Sequence, residues 1–187
     1  SREDITLRDY ILPHLADTLA KFSIYYESAI LGLEQGQIFI DESNEAILVS
    51  DFNYMADTYF DHPNYLKIDG KPVVFIYLSG IYSGNFKEAF ASVRSELSAK
   101  GHEVFLVGDE VGWGETSVSH MDFLDAVSPY IVLPQQIQPG EYPGRGDFFA
   151  DLSVQVGRWE NAAQSLGLFV IPNVNPGFNN RRVSGNG

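Results

Sequence analysis

The chain contains no cysteine, which excludes disulfides, thiolate nucleophiles and cysteine-ligated metal centres. Compartment is left open, because cytosolic and exported proteins alike can do without cysteine. Positive charge is also scarce: 12 Lys and Arg stand against 25 Asp and Glu, a formal net charge of −13. Nucleic-acid affinity comes chiefly from cations that neutralise phosphates, so this balance argues against a nucleic-acid partner and favours neutral or cationic ones. No apolar run approaches the roughly 20 residues that span a bilayer, and the first residues lack the basic-then-apolar pattern of a signal peptide. The four histidines, His14, His62, His102 and His120, have no metal-site spacing. Phosphate-cradling glycine loops are missing too, since the GRGDFF run (144–149) lacks the strand that must precede one.

What is present is enough for one folded domain over 1–187, with 44% hydrophobic residues to build a core. Aromatics reach 13%, and ten tyrosines point to a surface where rings meet an amphipathic partner such as a sugar. Helical spacing runs over Thr6–Lys21, kinked or delayed by Pro13, over Asn44–Phe60 with a cap at Ser43 or Asn44, over Phe86–Lys100, and over Asp147–Leu166. Between them, Phe22–Glu27, Pro72–Leu78, Glu103–Gly108, Ala126–Leu133 and Leu168–Val174 read as strands. Parallel neighbours need a crossover and a helix supplies it, so the alternation predicts an α/β fold built from βα units. About five such units leave two architectures open: an open parallel α/β sheet, or an incomplete (β/α)8 barrel, whose full form takes about 250 residues.

Two stretches carry the most information. His62–Gly80 (HPNYLKIDGKPVVFIYLSG) reads as a turn, a hairpin closed by Asp69-Gly70 and a buried strand ending at Tyr77. His62 reads as a helix-terminating residue whose ring bonds nearby backbone. Val170–Arg182 (VIPNVNPGFNNRR) reads as a strand opening into a Pro-Gly loop rich in amides and guanidiniums. Together they resemble glycoside hydrolase family 99, the endo-α-mannosidase type, and the related WbsX-like proteins. The resemblance covers roughly 22–187 and implies an incomplete TIM barrel, a middle and late portion without the first strands. It implies hydrolysis of an α-mannoside-like linkage with retention and with no cofactor, one carboxylate assisting the sugar's own 2-hydroxyl and another serving as acid then base. It favours a secreted or periplasmic setting. The family's Glu-Trp-x-Glu motif, which holds those carboxylates, does not occur in this sequence.

In parallel α/β folds the C-terminal strand ends face the ligand. That rule selects Tyr26, Glu27, Tyr77, Asp109, Glu110, Tyr130, Asn173 and Asn175. Glu27, Asp109 and Glu110 are the candidate catalytic carboxylates, although Asp109 and Glu110 are adjacent and an extended backbone turns only one of them into a site. Glu27 serves equally well as a cap on the turn that follows. Asn175, Asn179 and Arg181 suit vicinal hydroxyls or a carboxylate, with Phe178 as an apolar platform, and the same loop is also a plain Pro-Gly turn. Trp113, in the acidic GDEVGWGE run (108–115), is a candidate sugar-stacking residue. The expected partner is an oligosaccharide or polysaccharide. Two other readings stay open: a non-catalytic glycan-binding module, which needs the aromatics and amides alone, and a nucleotide-sugar glycosyltransferase, which the acidity and missing phosphate loop disfavour.

Overall fold

The computed structural model describes residues 2–109, 120–128 and 145–172. The chain opens in a helix that changes register midway: α1 (Arg2–Ile5), a π-helical stretch over Thr6–Ile11, and α2 (Leu12–Leu15). Pro13, in the first turn of α2, cannot donate to the turn before it. The widened π turn, in which the Leu12 amide donates to the Leu7 carbonyl, absorbs that defect.

There follow β1 (Ile24–Tyr26), β2 (Leu33–Glu34), β3 (Gln37–Ile40), α3 (Glu42–Met55), β4 (Lys67–Ile68) and β5 (Lys71–Ile76). Next come β6 (Tyr82–Gly84), α4 (Phe86–Ala99), β7 (Phe105–Gly108), β8 (Ala126–Val127), α5 (Arg145–Ser165) and β9 (Phe169–Val170). Helix α3 starts earlier than its apolar spacing implies. Asp41, not Ser43 or Asn44, is its cap: the backbone there is still extended and the carboxylate accepts from the Asn44 amide at 2.9 Å.

The main sheet runs β1-β5-β7-β8-β9, every neighbour parallel, with β4 antiparallel at the start of β5. The five expected strands are parallel neighbours, with residues 129–133 and 173–174 of the last two lying outside the described residues. The β4–β5 hairpin turns on Asp69 (φ 50°) and Gly70 (φ 81°), the left-handed pair that a tight two-residue turn requires. His62 ends the preceding helical segment as expected, its Nδ1 accepting from the Asn64 amide at 3.1 Å.

Successive strand residues face opposite ways, and the two faces differ. Tyr26, Val74, Ile76, Leu106 and Val127 join one large core with Leu48 and Phe52 of α3, Phe90, Val93 and Leu97 of α4, and Trp159 and Ala163 of α5. Val73, Phe105, Val107 and Ala126 form a separate cluster with Phe75 and Ile171, to which no helix contributes among the described residues. A doubly wound sheet carries helices on both faces, whereas a barrel wall carries them on the outside only. The helices here share one face. The helix-free face is thus the one that would line a barrel interior.

At the opposite end from the strand termini, Tyr65 joins β1 to β5. It is 2% exposed, and its phenol donates to the Val73 carbonyl at 2.9 Å while accepting from the Ile24 amide at 3.3 Å. Burial pushes this phenol well above the ordinary tyrosine range, so it stays a donor at any physiological pH. Tyr65→Phe leaves both backbone groups without this partner and is expected to cost about 1–3 kcal/mol. Urea unfolding followed by tryptophan fluorescence checks this, and an unchanged midpoint would show that the phenol is dispensable.

Two features lie beside the main sheet. Along the outer edge of β1 runs a groove of about 1190 Å³, lined by Leu7, Ile24, Ile30 and Met55 among others. Two of its carboxylates, Asp51 and Asp4, are already engaged. Asp51 accepts from Tyr26 at 2.9 Å, and Asp4 accepts from Tyr54 and Tyr59, the Tyr59 bond above all holding the Asp4 carboxyl below its usual range. A second, three-stranded sheet, β2-β3-β6, joins the segments that follow β1 and β5. No described helix is long and apolar enough to cross a membrane.

Candidate active site

Three neighbouring strands end together and bring together side chains that lie far apart in sequence. Register aligns Tyr25 with Phe75 and Val107 across β1, β5 and β7, so Tyr25, Tyr77 and Asp109 fall on the helix-free face. The Tyr25 ring stacks on Phe75 at 5.9 Å with 11° between planes, and meets Tyr77 at 5.9 Å with 49°. Its hydroxyl donates to Asp109 Oδ2 at 2.8 Å. Asp109 is 1% exposed while Tyr25 remains 46% exposed, so a buried carboxylate orients an accessible phenol. A charge-assisted bond of this kind is roughly twice as strong as a neutral one.

Asp109 is fixed by its backbone as well. Its amide donates to the Ile76 carbonyl at 2.9 Å, continuing the β5–β7 ladder one residue past the strand. Gly108 beside it faces the helical layer, where an added Cβ would lie 2.3 Å from Leu124 Cδ1 and 2.7 Å from Ser79 Oγ. Any Cβ at this position would force the buried Leu124 and Ser79 side chains to shift.

Other expected site residues take different places. Tyr26 is turned to the opposite face and buried in the helical core, its hydroxyl on Asp51, with burial and then the Asp51 charge pushing the phenol far above its ordinary range. A residue next to Tyr25 in an extended strand must face the other way. Glu27 is exposed and accepts from the Ala29 amide at 3.3 Å, capping the short 3₁₀ turn Ser28–Leu31. It acts as the cap that was one of its two equal expectations. Tyr77 and Asp109 are brought together with Tyr25. Glu110, Trp113, Tyr130, Asn173, Asn175, Phe178, Asn179 and Arg181 lie outside the described residues. Sequence reasoning missed Tyr25, Phe75 and Ser128, the last lying one position past β8 and in line with Asp109. Alternation counted from Asp109 and Tyr77 back across the ladder would have pointed to Tyr25. Among the described residues no group of three His, Asp or Glu side chains is placed to hold a metal ion.

No protein-family model and no curated protein sequence matches the chain. Solved structures do. A glycoside hydrolase-like protein superposes with a TM-score of 0.67 at 24% identity, over 89% of this chain and 51% of that one. The fold is glycosidase-like. The family 99 endo-α-mannosidase from Bacteroides thetaiotaomicron matches with a TM-score of 0.61 at 18% identity, over 92% of this chain and 45% of that one. Its complex with bis-tris-propane gives 0.60 at 19%, over 94% and 48%. The chain thus spans about half the length of these structures. Five parallel strands with helices on one face correspond to an incomplete TIM barrel of the glycosidase type. The expected α/β barrel-type fold is what the chain has, in place of the open doubly wound alternative.

Proposed function

We propose that this chain belongs to a glycoside hydrolase acting on an α-mannoside-like linkage with retention. The observation that carries the reading is the Tyr25–Asp109 pair beside Tyr77, at the end of a parallel sheet where barrel enzymes build their clefts. An exposed phenol held by a buried carboxylate suits a sugar hydroxyl, and the rings of Tyr25 and Tyr77 suit the apolar face of a pyranose. Asp109 and Glu110 stay in the proposal as carboxylates for acid–base work, with Glu27 third because its oxygen is already used in a cap. Retention through a carboxylate nucleophile would need two carboxyl groups about 5–5.5 Å apart, a spacing that assistance by the sugar's own 2-hydroxyl does not impose. Substrate-facing roles are proposed for Trp113, Tyr130, Asn173, Asn175, Phe178, Asn179 and Arg181 on the sequence argument.

The test is incubation of the purified chain with α-mannan oligosaccharides, with proton NMR of the first product formed. Release of shortened chains with the anomeric configuration of the substrate is the expected result. Inverted product would remove retention, and absence of product would remove the hydrolase reading. Glu27's use as a cap favours a second reading, a glycan-binding module without catalysis, which absence of product together with retained binding would establish.

A further inference from the structure

The small sheet β2-β3-β6 has two unlike faces. Ile38 and Ile40 point inward and are fully buried, while Gln37 and Phe39 point outward on the same strand, with Phe39 61% exposed. Register places Glu34 opposite Gln37 and Ser83 opposite Phe39. This outer face, with Gln35 and Asp41, lines a concavity of about 380 Å³. The Phe39 ring leans on Gly84, where an added Cβ would stand 3.1 Å from its Cε2. The ring is therefore seated and still open to solvent. The side chains of Glu34, Gln35 and Gln37 make no bond to another described residue. β3 and β6 lie in the segments that leave the ends of β1 and β5, so this face stands at the same end of the barrel wall as Tyr25 and Asp109.

We infer that this face is a glycan subsite separate from the Tyr25–Asp109 cleft, taking one neutral hexopyranose unit of a longer chain. Phe39 supplies the apolar platform, Gln35 and Gln37 supply paired donors and acceptors for vicinal hydroxyls, and Glu34 accepts further hydroxyl protons. Glu34 and Asp41 make the concavity hostile to anionic sugars, since no Lys or Arg among the described residues lines it. The inference rests on the glycan-hydrolase reading and adds to it a place that holds substrate at a distance from the cleft.

Affinity electrophoresis of the full 187-residue chain in native gels containing soluble α-mannan tests it. Wild type is expected to be retarded, and Phe39→Ala and Gln37→Ala to weaken retardation by roughly tenfold in apparent affinity. Both positions are exposed, so circular dichroism of each variant should match wild type. Asp109→Asn, run beside them, is expected to remain retarded while releasing product more slowly than wild type. Variants at Phe39 and Gln37 retarded like wild type would overturn the subsite and leave the hydrolase reading in place. Wild type moving freely through α-mannan would also overturn it, while product release from α-mannan oligosaccharides judges the hydrolase reading separately.

Discussion

Gly108→Ala is expected to destabilise the protein by about 1–3 kcal/mol, because inserting a methyl into a filled core forces neighbours off their rotamers. The obstruction is on two sides. Leu124 Cδ1 and Ser79 Oγ would stand 2.3 and 2.7 Å from the new carbon, and the two residues are 4% and 0% exposed. For a chain of this size the melting temperature should fall by roughly 2–12 °C. Because Gly108 precedes Asp109, the displaced strand end should also move the carboxylate away from Tyr25. Scanning calorimetry measures the first effect and glycan hydrolysis the second; an unchanged melting temperature would show that Leu124 and Ser79 yield freely.

The second large effect belongs to the Tyr25–Asp109 pair. Tyr25→Phe and Asp109→Ala are each expected to lower kcat/KM on α-mannan oligosaccharides by about 10- to 150-fold, the equivalent of the 1.5–3 kcal/mol of a charge-assisted bond. If the carboxylate acts through the phenol, the double variant should be little worse than Asp109→Ala alone. Losses that multiply would instead separate the two residues and end the idea of a shared role. Phe75 still supports the ring in Tyr25→Phe, so the variant tests the hydroxyl and not the platform.

Which parts of this arrangement could be read from the sequence follows from which signals are local. The β4–β5 hairpin is specified by Asp69-Gly70 and adjacent apolar residues, all within ten positions, and it forms where expected. Each main-sheet strand is a short apolar run flanked by helical periodicity, and that alternation fixes a parallel order without knowledge of any contact. The site depends on facing, which a single residue's slip inverts. Tyr25 and Tyr26 are chemically the same, and only the pairing of β1 with β5 and β7 tells which one joins Asp109. Glu27, which follows an apolar strand, reads from sequence as a catalytic acid and equally as a cap, and only its bond to a backbone amide two residues on shows the capping role. The small sheet was illegible for another reason. β2 and β6 are two and three residues long, below what alternation can mark; β2 meets β3 through the tight Gln35-Gly36 turn, whereas β6 meets β3 because β1 and β5, which precede these segments, are neighbours.

That pairing has a consequence for how the protein can diversify. In a barrel, the segments after successive strands usually vary independently, each free to lengthen or change without the next. Here the segments after β1 and β5 share a parallel ladder from Ile38–Tyr82 to Ile40–Gly84, closed where a Cβ on Gly84 would stand 2.5 Å from the Ile40 carbonyl. An insertion within either paired stretch would shift the register of the ladder. The two segments are thereby tied to each other, and exchange of side chains on the outer face of their shared sheet is the change that leaves the ladder intact.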